Sequence, residues 1–220
     1  MTLTAERRLE RFLAMSFGLL FCGYVCWGES ATALLILTVT VLLMGVVFLF
    51  RFRELLSVIQ QLSMTIFGLL YIPLLLGHLA LLRNLTDGSA WVFLVLVITM
   101  AGDSSALFVG SAIGKHKLYA AISPNKSVEG AIGGLAGSVL GALIFKFGFF
   151  PQVDILMVVF LAVVLSVLGQ LGDLFESMLK RSCQVKDSGS IIPGHGGVLD
   201  RLDSLLFVFP VAYYVIVFLG

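Results

Sequence analysis

Apolar runs of membrane-spanning length alternate with short polar stretches along nearly the whole chain. A helix needs about 20 apolar residues to cross the hydrocarbon core of a bilayer, and the pattern predicts seven such helices, over residues 12–27, 31–50, 64–82, 90–110, 128–150, 155–176 and 205–219. The expected fold is all-α, a polytopic transmembrane helix bundle of about seven spans. It forms a single integral membrane domain over 1–220, with N-terminal helices in 1–89 and the helices and loops that carry the chemistry in 90–220. Between the second and third runs, residues 51–63 mix Leu55, Leu56, Ile59 and Leu62 with Arg53, Glu54, Gln60 and Gln61. That pattern fits either a short amphipathic helix on the inner surface or an ordinary connector.

Composition identifies the solvent of these runs. Hydrophobic residues make up 59% of the chain and charged ones 12%, against about 25% charged in an ordinary soluble domain. A chain of 220 residues has too few polar side chains to cover a water-facing rim, so lipid takes the place of water. The net charge of +1, with no basic run interleaved with aromatics, gives no sign of a nucleic-acid partner. Cys22 and Cys26 lie inside the first apolar run and read as packing residues, while Cys183 lies in a polar stretch, so no disulfide framework is expected.

Charge distribution orients the bundle. With a cytoplasmic N-terminus, the inner segments collect Arg7, Arg8, Arg11, Arg51, Arg53, Lys115, Lys117, Lys126, Lys180, Arg181, Lys186 and Arg201, leaving Arg83 and Lys146 outside. The first run, preceded by Arg7, Arg8 and Arg11, reads as a retained helix rather than a cleaved signal, because the next apolar run follows at once.

Acidic residues are costly at membrane depth and mark function there. Asp103, Glu129, Asp173, Glu176, Asp187, Asp200 and Asp203 all fall at inner helix ends or in the last two inner loops. Within 177–204, Lys180, Arg181, Lys186 and Arg201 alternate with Asp187, Asp200 and Asp203 around Pro193-Gly194-His195-Gly196-Gly197. Basic side chains and glycine-rich backbone N–H groups bind phosphate oxygens, and carboxylates hold the divalent cation that bridges them. Upstream, Asp103 enters a loop that Ser123, Lys126, Ser127 and Glu129 leave. Ser127 and Glu129 fit a helix start facing an anion or simply a capped helix. Gly130, Gly133, Gly134, Gly137 and Gly141 recur at helical spacing and predict a close-packing face, within the chain or in a homodimer. His78 reads as structural, His116 as solvated, and His195 as the histidine nearest the chemistry. Walker A, HExxH and GxSxG sequences are absent.

The run from Ser177 through Lys180-Arg181, Lys186-Asp187, Pro193-Gly194-His195-Gly196-Gly197 and Asp200-Arg201-Leu202-Asp203 resembles the signature of phosphatidate cytidylyltransferases, also called CDP-diacylglycerol synthases. Gly102-Asp103, Gly114-Lys115, Ile122-Ser123-Pro124, Lys126, Glu129-Gly130 and Gly169-Gln170-Leu171-Gly172-Asp173-Leu174 extend the resemblance over roughly the C-terminal half. The chain departs from the family pattern at Leu107, Asn125 and Ser127, where Tyr, Lys and Thr are usual, and it is shorter than typical bacterial members.

The resemblance implies a magnesium-dependent reaction of CTP with phosphatidate, giving CDP-diacylglycerol and pyrophosphate at the cytoplasmic ends of the C-terminal helices in a bacterial inner membrane. It implies that Asp173 and Asp200 hold the metal, with room for a second cation nearby. Lys180, Arg181, Lys186, Asp187, Arg201 and Asp203 join them as catalytic residues. Asp103, Ser123, Lys126, Glu129, His195, Gly196 and Gly197 bind substrate. The implied partners are CTP, phosphatidate and membrane lipids. Competing readings are a CTP-dependent polyprenol or phytol kinase, a cytidylyltransferase for an ether lipid, and a transporter. A transporter places its charges near the midplane of paired halves, whereas these lie at one face.

Overall fold

The computed structural model describes residues 16, 18, 20, 21, 23, 24, 30–51, 55–185, 187–189 and 197–220. The expected first span over 12–27 lies largely outside the described residues, as do Lys186, His195 and Gly196. Among the described residues, five helices are long and apolar enough to cross a membrane: Val58–Arg83, Gly88–Ile113, Val128–Phe149, Ile155–Ser182 and Leu199–Leu219. The chain separates into two compact units, Met1–Asn84 and Leu85–Gly220.

In the first unit, α1 (Ser30–Arg51) carries a shorter apolar stretch, Leu35–Phe50. It is followed by α2 (Leu55–Leu69), a single π-helical turn at Leu70–Leu74, and α3 (Leu75–Arg83). The π turn contains Pro73. Proline lacks the N–H that an α-helical ladder needs, and widening the turn by one residue absorbs the defect without breaking the helix. Residues 55–63 form neither a separate surface helix nor a connector; they run straight into the third span. Neither Pro nor Gly falls between Leu55 and Phe67, so nothing stops the helix there. Polar side chains turn back onto their own helix: Thr40 Oγ1 donates to Ile36 O at 2.7 Å, Thr65 Oγ1 to Gln61 O at 2.9 Å and His78 Nδ1 to Leu74 O at 2.8 Å.

The second unit comprises α4 (Gly88–Ile113), β1 (Lys117–Tyr119), β2 (Ser123–Ser127), α5 (Val128–Phe149), α6 (Ile155–Ser182) and α7 (Leu199–Leu219). The glycine face of α5 packs within the chain, against α4. A Cβ on Gly130 would stand 2.9 Å from Ala106 O, one on Gly133 2.6 Å from Val109 Cβ, and one on Gly141 2.7 Å from Ala101 Cβ. Ser138 Oγ donates to Ile98 O at 2.9 Å across the same seam, the kind of polar link that close backbone approach permits between membrane helices. On the other side, Val158, Leu161, Ala162 and Leu165 of α6 and Leu206, Val208, Phe209 and Ala212 of α7 are buried.

The loop between α4 and α5 contains two short antiparallel strands, pairing Lys117 with Ser127 and Tyr119 with Ser123. Ser127 then caps α5, its Oγ accepting from Gly130 N at 3.1 Å. At the far end of the unit Asp154 caps α6, accepting from Leu156 N at 2.8 Å and Met157 N at 3.2 Å. Lys146 is buried but reaches out to donate to Pro151 O at 3.2 Å, over the Phe147 ring.

Candidate active site

The 28 residues of α6 rise about 42 Å, more than the roughly 30 Å hydrocarbon core. Its C-terminal turns carry Asp173, Glu176, Lys180 and Arg181 on one continuous helix. Likewise α7 begins at Leu199, so Asp200 and Asp203 sit in its first turns rather than in a loop.

Gly172 sets the distance between these helices. A Cβ there would stand 2.8 Å from the backbone O of Asp203 and 3.1 Å from Phe207 Cβ. Gly172→Ala is expected to force α7 outward at Asp203, costing about 1–3 kcal/mol and about tenfold in turnover; thermal unfolding and steady-state assay of the purified variant check both.

Two charged groups result. In the first, Lys126 of β2 pairs with Asp173 of α6, Nζ to Oδ2 at 2.5 Å. Asp103 of α4 and Asp203 of α7 lie within electrostatic reach of Asp173 and Lys126. Three helices and the hairpin thus converge. Among the described residues, Asp173 Oδ1 receives only a long contact from Ser177 Oγ, at 3.5 Å.

In the second, Lys180 Nζ lies between two carboxylates, 2.5 Å from Glu176 Oε2 and 2.7 Å from Asp200 Oδ1. Asp200 also accepts from Ser188 N at 2.9 Å, Ser188 Oγ at 2.8 Å and Gly197 N at 2.7 Å. It thereby ties both stems of the polar loop to the start of α7. An acid in a helix's first turn also complements the helix dipole.

The expected site residues divide accordingly. Asp103, Lys126, Asp173 and Asp203 come together, as do Lys180, Asp200 and the backbone of Gly197. Arg181, Asp187 and Arg201 are exposed at the same helix ends and loop, and Ser123 starts β2 in register with Tyr119. Glu129 holds the hairpin: it accepts from Lys115 N at 3.1 Å, from His116 N at 3.2 Å and from His116 Nδ1 at 2.6 Å. Glu176 and Ser188 were not among the expected site residues. The spacing of Glu176, three after Asp173 and four before Lys180, puts all three on one helix face and was the available signal.

Carboxylate oxygens suit a magnesium ion. Among the described residues no group of three or more His, Cys, Asp or Glu is drawn together closely enough to hold a metal. Asp173 fits the role through its lightly engaged Oδ1. Asp200 receives four donor groups for about four lone-pair positions, so it fits only if one of them gives way.

Comparison with known proteins places this geometry. The chain is 45% identical to the phosphatidate cytidylyltransferase of Bacillus subtilis (strain 168) over 148 residues, 67% of this chain and 55% of that protein. It is 42% identical to those of Staphylococcus haemolyticus (strain JCSC1435) and Staphylococcus epidermidis (strain ATCC 12228 / FDA PCI 1200), each over 135 residues, 61% of this chain and 52% of theirs. The aligned part thus covers about half the length of these relatives. A model of the cytidylyltransferase family matches residues 1–219, and the chain belongs to that family.

Proposed function

We propose that the chain transfers the cytidylyl group of CTP to phosphatidate, giving CDP-diacylglycerol and pyrophosphate for phospholipid biosynthesis. The observation that carries the reading is the gathering of Lys126 with Asp103, Asp173 and Asp203, and of Lys180 with Asp200, in a chain of this family. The names of the bacterial relatives support the same substrates.

The nucleophile in this reading is the lipid phosphate, whose second pKa of about 6 leaves it largely dianionic at neutral pH. No side-chain nucleophile or strong base is required, in keeping with a site built of Lys, Arg and Asp. The lipid oxygen attacks the α-phosphorus of CTP as pyrophosphate leaves in line, and the protein aligns the reactants and neutralises charge. Lys126, Lys180, Arg181 and Arg201 face the phosphates, with Lys186, Asp187 and His195 from the adjoining loop. Asp173, together with Asp200 once the Ser188 hydroxyl gives way, would hold magnesium, which would supply charge neutralisation.

Labelled CTP separates this reaction from a kinase: label at the α-phosphate should enter the lipid and label at the γ-phosphate should leave as pyrophosphate. A γ-label on the lipid would mean phosphoryl transfer instead.

In the same reading the bundle has seven spans in a bacterial inner membrane, with the N-terminus and the site facing the cytoplasm, as the asymmetry of Lys and Arg supports. Cys183 is a free, exposed thiol beside the site and reports its side. A membrane-impermeant maleimide should label Cys183 in inverted vesicles and leave it unlabelled in intact spheroplasts. The reverse pattern would place the site outside.

A further inference from the structure

Glu176 is completely buried, and its carboxylate meets the ammonium of Lys180 one turn along α6. The same ammonium donates to Asp200 at 2.7 Å. The Lys180–Asp200 pair by itself already links α6 to α7, so a second carboxylate sunk beneath the lysine is not needed for that link. Burying a carboxylate costs more than an apolar residue of the same size would. Stability does not explain Glu176.

Geometry does. A lysine ammonium has three donors on a flexible four-carbon stem. Glu176, in ion-pair contact from its own helix, and Asp200, accepting a hydrogen bond from α7, hold the ammonium on two sides and so fix the direction of its open side. Asp200 is in turn held by Ser188 and Gly197, the stems of the polar loop. The open side of the ammonium is therefore fixed relative to both Ser188 and Gly197 and to α6.

We propose that Glu176 is a positioning residue, which acts through Lys180 by holding its ammonium in the orientation that meets the phosphates of the nucleotide. This rests on the cytidylyl-transfer reading of the same site. Removing the Glu176 charge leaves the site more positive, so attraction for CTP should not weaken; alignment should.

The test is a mutant cycle on the full chain in detergent, with Glu176→Gln, Lys180→Met and the double variant assayed for pyrophosphate release from CTP and phosphatidate. Glu176→Gln should lower kcat about tenfold with KM for CTP unchanged or lower, and the double variant should be no slower than Lys180→Met. Wild-type kcat per folded molecule in Glu176→Gln, with only a lowered Tm, would reduce Glu176 to a fold-holding group and overturn the proposal. Losses that multiply in the double variant would overturn it too, by showing action independent of Lys180. Should Lys180→Met not survive extraction, the kcat-against-KM split in Glu176→Gln decides. Wild-type protein that makes no CDP-diacylglycerol would instead overturn the proposed function and this role with it.

Discussion

Asp173→Asn should lower cytidylyl transfer by about a hundredfold to a thousandfold while the protein still inserts and folds. The substitution keeps the size and shape of the side chain and removes its charge. Asp173 faces Lys126 across 2.5 Å with about a third of its side chain exposed, and partly exposed pairs of this kind contribute little to stability. The chemistry is different, because stabilising charge that develops on phosphate oxygens in the transition state is where such sites gain most of their rate. With the amide in place of the carboxylate, the site loses both the proposed magnesium ligand and the anion that holds Lys126 in place. Pyrophosphate release at saturating magnesium, together with thermal unfolding in detergent, checks the two halves of the expectation. Wild-type turnover under those conditions would remove Asp173 from the metal assignment.

Lys180→Met should have the largest effect on stability. The ammonium sits between Glu176 and Asp200, so its removal leaves a fully buried carboxylate without its cation, next to a second negative charge. Breaking a buried pair from one side costs about 3–5 kcal/mol, which for a chain of this size corresponds to a drop in Tm on the order of 10 °C. Adding Glu176→Gln should recover most of that drop, since the orphaned charge is then gone. Thermal unfolding of the two variants side by side measures it. An unchanged Tm in Lys180→Met would show that Glu176 finds another partner.

Hydropathy made the helices of the second unit legible and misplaced their charged ends. The expected spans over 128–150 and 155–176 start where α5 and α6 start, because Ser127 and Asp154 are capping residues beside apolar runs. The expectation of 155–176 stops six residues short of Ser182, and that of 205–219 begins six residues after Leu199. In both cases the helix continues through charged residues, which a hydropathy run treats as loop. Hydropathy alone therefore puts Asp200 in a loop, although its position in a first helical turn is what lets it gather the amides of Ser188 and Gly197.

Pairwise contacts were the least legible. Acidic residues are legible in the sequence, but which cation meets which carboxylate depends on how closely α6 and α7 approach at Gly172, and one sequence carries no direct sign of that. The glycine repeat of α5 was readable as a packing face; its partner, α4 of the same chain, was not. The strands at Lys117–Tyr119 and Ser123–Ser127 are too short for an alternating pattern to stand out.

The most direct test of cytidylyl transfer is pyrophosphate release from CTP by the detergent-purified protein, with phosphatidate and magnesium each present or withheld. The expected result is release that requires both, with CDP-diacylglycerol formed in equal amount. Folded protein that releases no pyrophosphate with both present, or releases it at the same rate without phosphatidate, would contradict cytidylyl transfer to the lipid.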